Sequence, residues 1–271
     1  MNRNQVILIV VAIAAVIGIY SLPRVVVDND NATPAEFLDE TAPGGVVDHS
    51  SEVPEEIQPK IDHWKGQLFV NGNMQPSEVA LDSLMRVFME INQYDSAAFY
   101  AGQFAERFNK IEHWQKAGDV YFEAFTFALD EQKVTLLGNK AREAYEKVLE
   151  QQPDNLDAKH NMAMTYIAGP APMQGIMMLR EIIEIDPRNE KALMSMGRMS
   201  IQTGQFENGI ERFQALVNYY PSHIEGNFFL GVCYYEAGQL VKAKAQFEKV
   251  KTLDASEQVL TAADEYLERI N

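Results

Sequence analysis

The chain of 271 residues has one cysteine, Cys233, which excludes an intrachain disulfide and any zinc cluster built on several thiolates. It is also short of positive charge: 23 Lys and Arg stand against 39 Asp and Glu, a formal net charge of -16. That sign argues against nucleic acid as a partner, because such a binder must neutralise an anionic backbone. Catalytic signatures are missing as well. The five histidines, His49, His63, His113, His160 and His223, include no pair one helical turn apart that would present two imidazoles to zinc. There is no GxSxG, no phosphate-binding loop and no GxGxxG after a strand. Cys233 lies between Val232 and Tyr234, which suits a small buried thiol better than a nucleophile. The expectation is a protein that is not an enzyme and holds no cofactor or metal.

Long apolar runs are confined to one place. Val6 to Leu22 reads VILIVVAIAAVIGIYSL, 17 residues without a charge, flanked by Arg3 and Arg24. As a helix it would span roughly 26 Å, just short of a hydrocarbon core of about 30 Å. Val25 to Val27 make up the difference, because Arg24 can snorkel toward the headgroups. A cleaved signal peptide is the rival reading, but its apolar region runs about 7 to 15 residues and ends in a small-x-small site. The exit here, Ile19-Tyr20-Ser21-Leu22-Pro23, is bulky, and a buried core helix is a third reading. Residues 1–24 are thus expected to be an uncleaved transmembrane anchor that meets lipid through Val6 to Leu22. Basic residues on both flanks leave only a small positive-inside difference. The expected orientation puts the N-terminus in the cytoplasm and the C-terminal body outside, which in a bacterium means an inner-membrane protein with a periplasmic domain.

Residues 25–62 carry ten acids and one lysine, with Pro34, Pro43, Pro54, Pro59 and the pair Gly44-Gly45. Low hydrophobicity and self-repelling charge cannot offset the entropy of ordering, so this stretch is expected to be a disordered acidic tether. An acidic recognition tail for a basic partner is the alternative; the scattered prolines form no repeating PxxP ligand.

The remainder, residues 63–271, is self-similar at an interval of 34. Leu230-Gly231 and Tyr234 map onto Met196-Gly197 and Ser200; Gly238 maps onto Gly204, Ala243 onto Gly209, Phe247 onto Phe213, and Ala255 onto Pro221. One further step back reaches Gly175, Leu179 and Pro187. Small residues at two spots let a pair of helices approach closely, a large residue fills the space beside them, and the proline stops the second helix. This pattern resembles the tetratricopeptide repeat, a helix-turn-helix unit. The clear units are 156–189, 190–223 and 224–257. A unit at 111–155 carries about 11 extra residues, roughly three helical turns, which predicts lengthened helices rather than a loop. Residues 77–110 read as a degenerate first unit, and 256–271 as a capping helix with Leu260, Ala263, Leu267 and Ile270 on its buried stripe. Lys159 and Asn227 stand where the family prefers Trp, and Gly169-Pro170-Ala171-Pro172 fills the turn of the third unit. The fold class expected is all-α: a tetratricopeptide-type solenoid behind a transmembrane helix and a linker.

The resemblance implies a superhelix whose concave wall, lined by first helices, binds protein or peptide. Counting along those helices, the wall would hold His160, Met164 and Ile167, then Met194, Arg198 and Ile201, then Phe228, Val232 and Tyr235. Such a wall is apolar and rich in Met, which adapts to apolar or amphipathic segments. Packing between units is the alternative role for these nine positions. Family members that grip a terminal carboxylate use Lys, Arg and Asn; here the corresponding places hold Gln115, Asp119, His160, Met164, Ser195, Glu225 and Phe229, so that activity is not carried over. In layout the chain is similar to membrane-tethered bacterial repeat proteins of cytochrome c maturation and of the secretion translocon. The expected role is an adaptor that assists envelope proteins; the alternative is a structural subunit of a membrane complex.

Overall fold

In three of the helical pairs a glycine of the first helix lies against a large ring of the second. The computed structural model describes residues 53–68 and 77–270, within the compact unit His49–Asn271. The predicted anchor, and the linker up to residue 52, lie outside the described residues; the end of the expected tether is instead helical from Gln58, because Ile61 and Leu68 are buried in the first apolar cluster. Twelve α-helices and no strand occur among the described residues. They are α1 (Gln58–Leu68), α2 (Glu78–Glu90), α3 (Tyr94–Phe108), α4 (Ile111–Phe127), α5 (Glu131–Gln151) and α6 (Leu156–Ile167). There follow α7 (Pro172–Ile185), α8 (Glu190–Gln202), α9 (Phe206–Tyr219), α10 (Ile224–Glu236), α11 (Leu240–Lys251) and α12 (Glu257–Ile270). None of the described helices is long and apolar enough to cross a membrane.

Consecutive helices pack as pairs, α2 with α3 through α10 with α11, and α1 packs on α2. A Cβ added to Gly197 of α8 would lie 2.5 Å from Phe213 Cζ of α9. At Gly231 of α10 it would meet the Phe247 ring of α11 at 2.8 Å, and at Gly118 of α4 the Tyr145 ring of α5 at 2.7 Å. Tyr145, Phe213 and Phe247 are fully buried, so an added methyl would force a packed ring to move, at a cost of about 1–3 kcal/mol. The second set of small residues works partly between units. Gly209 of α9 lies near Ser200 of its own unit, but a Cβ there would meet Cys233 Sγ of α10 at 2.7 Å.

Turns repeat as well. Each of Pro153, Pro187 and Pro221 is followed two residues later by a residue that caps the next helix. Asn155 and Asn189 accept from the backbone N–H of Ala158 and Ala192, each at 3.0 Å, and His223 Nδ1 accepts from Gly226 N–H at 2.9 Å. Within units, Gly204 and Gly238 turn the chain with φ of +69° and +73°, a region that favours glycine. In the second unit the extra residues are helical: α4 and α5 have 17 and 21 residues, against 12 to 14 in α6 through α11. Asn227, at one of the Trp positions, is fully buried and ties three segments together. Its Nδ2 donates to the carbonyls of Pro221 and His223, and its Oδ1 accepts from Gln246 Nε2 at 2.6 Å.

Candidate functional site

First helices of neighbouring units touch one another, α4 with α6 and α8 with α10, and side-chain ties join α6 to α8. Polar ties stitch these helices across unit boundaries. Lys116 Nζ meets Asp82 at 2.6 Å and Lys191 Nζ meets Asp157 at 2.8 Å, each pair 34 residues apart. His160 Nε2 lies 3.0 Å from Ser195 Oγ, and His223 Nε2 lies 3.2 Å from Glu190 Oε1. The Arg198 guanidinium of α8 sits over the Phe229 ring of α10, 5.5 Å from its centroid, a cation–π contact between units.

The nine residues expected on the wall separate into groups. His160 and Val232 are buried, and Val232 belongs to the apolar cluster of the last units. Phe228 and Tyr235 are half-buried beneath Tyr266 of α12, at centroid distances of 6.1 and 5.2 Å. Met194 and Ile201 are half-buried and pack against that same cluster, while Ile167 packs against Leu179 and its neighbours. Met164 is half-buried and Arg198 exposed. A strict i, i+4, i+7 count therefore follows an edge that faces the next unit more than it faces solvent.

A polar constellation at the α4–α6 seam goes unmarked by that count. The Asp119 carboxylate accepts from Tyr145 Oη at 2.9 Å and from Gln115 Nε2 at 3.0 and 3.1 Å. Asn161 Nδ2 donates to the same Tyr145 oxygen at 3.0 Å, and Asn155 Nδ2 donates to Gln115 Oε1 at 3.0 Å. Burial and the nearby Asp119 charge push the Tyr145 hydroxyl well above its ordinary value, so it stays a donor at neutral pH. The 34-residue alignment could have pointed here, since Asn161, Ser195 and Phe229 form one column across three units. Cys233 is buried, and burial with the Glu236 charge pushes its thiol up to about 12, which leaves it unreactive near neutrality.

The tetratricopeptide repeat family model matches residues 191–223, the unit of α8 and α9. Among curated proteins, the mitochondrial import receptor subunit TOM70 of Homo sapiens is 26% identical over 151 residues, 55% of this chain and 24% of that protein. Its Rattus norvegicus counterpart gives the same figures. The chain spans about a quarter of the length of these relatives. Among solved structures, a tetratricopeptide repeat protein from Parabacteroides merdae superposes with a TM-score of 0.52 at 15% identity, covering 79% of this chain and 82% of that one. MamA from Desulfovibrio magneticus gives 0.52 at 18% identity, covering 68% and 99%. These likenesses concern the fold. A matched repeat at residues 191–223, with the same small-against-large contact at Gly231 and Gly118 in two other helical pairs, gives this chain an all-α, tetratricopeptide-like helical repeat domain.

Proposed function

We propose that the protein is a non-enzymatic, membrane-anchored adaptor that holds an apolar or amphipathic segment of another protein on the face formed by α4, α6, α8 and α10. The observation that carries this reading is that first helices meet or are tied across unit boundaries while carrying half-buried Met164, Met194 and Phe229 and exposed Arg198. A segment laid over these helices would cover apolar side chains while its polar groups met the charged rim. The name of TOM70, an import receptor subunit, is in keeping with a protein-binding role. Val6 to Leu22 would confine the adaptor to the inner membrane with its solenoid in the periplasm, raising the effective concentration of partners held at the same surface. Assistance in assembling or exporting envelope proteins is the role this layout suits.

The test places a photo-crosslinking residue at Met164 in the full chain in its membrane, with a second chain carrying it at Met177 on α7. Adducts from position 164 that vanish in the Met194→Asp variant, at unchanged helicity, are expected; capture that survives this substitution would remove the first-helix face from the proposal. One observation favours a second reading. Met173, Met177 and Val241 are exposed on second helices, so adducts only from position 177, to one fixed set of proteins, would mark a structural subunit of a membrane complex instead.

A further inference from the structure

We propose that the seam between α4 and α6 receives an Arg or Lys side chain of the bound segment on the Asp119 carboxylate, so that the partner segment is basic as well as amphipathic. This rests on the first-helix face being the binding face. Asp119 is exposed, yet its carboxylate is fixed by Tyr145 and Gln115, both neutral donors. Among the described residues no cation pairs with it. The cations on this face are otherwise engaged: Lys116 by Asp82, Lys191 by Asp157, and Arg198 by the Phe229 ring. Glu123, one turn beyond Asp119 on α4, is exposed and, among the described residues, has no ion-pair partner. Across the seam on α6 stand Asn161, joined to Asp119 through the Tyr145 hydroxyl, and half-buried Met164 one turn further on.

Charge complementarity selects the occupant. An acidic segment would meet Asp119 and Glu123 while Lys116, Lys191 and Arg198 are already engaged, and a wholly apolar segment would cover the Asp119 carboxylate without replacing its water. A guanidinium or ammonium supplies charged donors to a carboxylate that is already oriented, while the stem of the same side chain lies along Met164. Because Tyr145 is held protonated by burial and by Asp119 itself, its hydroxyl adds no charge to the seam and leaves the carboxylate to be balanced from outside.

The test uses three fluorescent peptides of about a dozen residues with identical apolar spacing, carrying Arg, Gln or Glu at the polar positions, titrated by anisotropy against the full chain in detergent micelles. The Arg peptide is expected to bind about tenfold more tightly than the other two at low salt, with the preference shrinking at high salt. Asp119→Asn with Glu123→Gln, which retains the Tyr145 acceptor, is expected to abolish the preference and leave the Gln peptide unaffected. Equal binding of all three peptides that is lost in Met194→Asp would overturn the basic preference while the first-helix face stands. A preference that survives both carboxylate substitutions would remove Asp119 from the site, and binding of none of the peptides would overturn the face and the preference together.

Discussion

His160 joins two first helices through a ring that is almost wholly enclosed. Its Nε2 lies 3.0 Å from Ser195 Oγ on α8 and its Nδ1 lies 3.3 Å from Asn161 Oδ1 on its own helix. Burial pushes the imidazole below its ordinary value; the Asn161 bond opposes this, Lys191 adds to it, and Asp157 works the other way. In the unfolded chain the ring takes up a proton near pH 6.5, whereas the folded chain resists it. Stability from this residue is therefore fully present above about pH 6.5 and is lost as pH falls from there toward the depressed folded value. We expect the urea midpoint to drop between about pH 7.5 and pH 5.5, and His160→Gln to remove part of that drop. An identical pH slope in the variant would show that the folded His160 titrates normally. The same substitution should cost a little at pH 7.5 through the lost Ser195 bond, about 1 kcal/mol.

At the scale of elements, α12 closes the last unit. Tyr266 stacks on Phe247 at 4.8 Å and covers Phe228 and Tyr235, three aromatic side chains that would otherwise face water. Because Tyr266 is only half-buried, Tyr266→Ala is expected to cost about 2 kcal/mol, toward the low end for removing a large side chain. Amide exchange should then quicken in α10 to α12 and stay unchanged in α2 to α5; faster exchange throughout would show a tighter coupling than nearest-neighbour packing allows. A final helix was legible in the sequence, since Ala263, Leu267 and Ile270 recur at helical spacing beside a charged face, but the residues that complete its packed stripe are Val259 and Tyr266 in place of Leu260. So were the pairings of Gly197 with α9 and Gly231 with α11, because a small residue in an apolar helix has few purposes besides close approach. Less legible was which side of a first helix remains open. Val232 and Phe228 sit at groove positions by counting, but burial in the last unit and cover from Tyr266 depend on the neighbour's side chains, which spacing within one helix does not encode. The Asp119 seam was legible only in part: Gln115 and Asp119 fall at wall positions by the family's pattern, but the Tyr145 hydroxyl that joins Asp119 to Asn161 comes from α5, which spacing along a first helix does not encode.

Over the whole repeat body the apolar contacts are unevenly shared. One large buried cluster runs through α1 to α5, another through α8 to α12, and between them lie two small ones. The contact of α7 with α8 is the slightest joint between any second helix and the first helix that follows it. The cluster bridging it contains Ala163, Leu179, Ile182, Ala192 and Met196, so two of its five members contribute only a methyl group. In a stack where each unit contacts chiefly its neighbours, cooperativity survives only while the joint is stronger than the difference in stability between the parts it connects. Ile182 is fully buried at that joint, and Ile182→Ala should remove about 2–4 kcal/mol. That loss falls mainly on the coupling, because neither large cluster includes the residue. Urea unfolding of the variant is therefore expected to separate into two transitions, with amides of α2 to α5 and of α8 to α12 following different midpoints, and that of the parent chain to proceed in one. A single transition merely shifted to lower urea would mean that the polar ties of the first helices, Lys191 to Asp157 and His160 to Ser195, carry the coupling. Adding Lys191→Ala to Ile182→Ala would then be the change that divides the molecule.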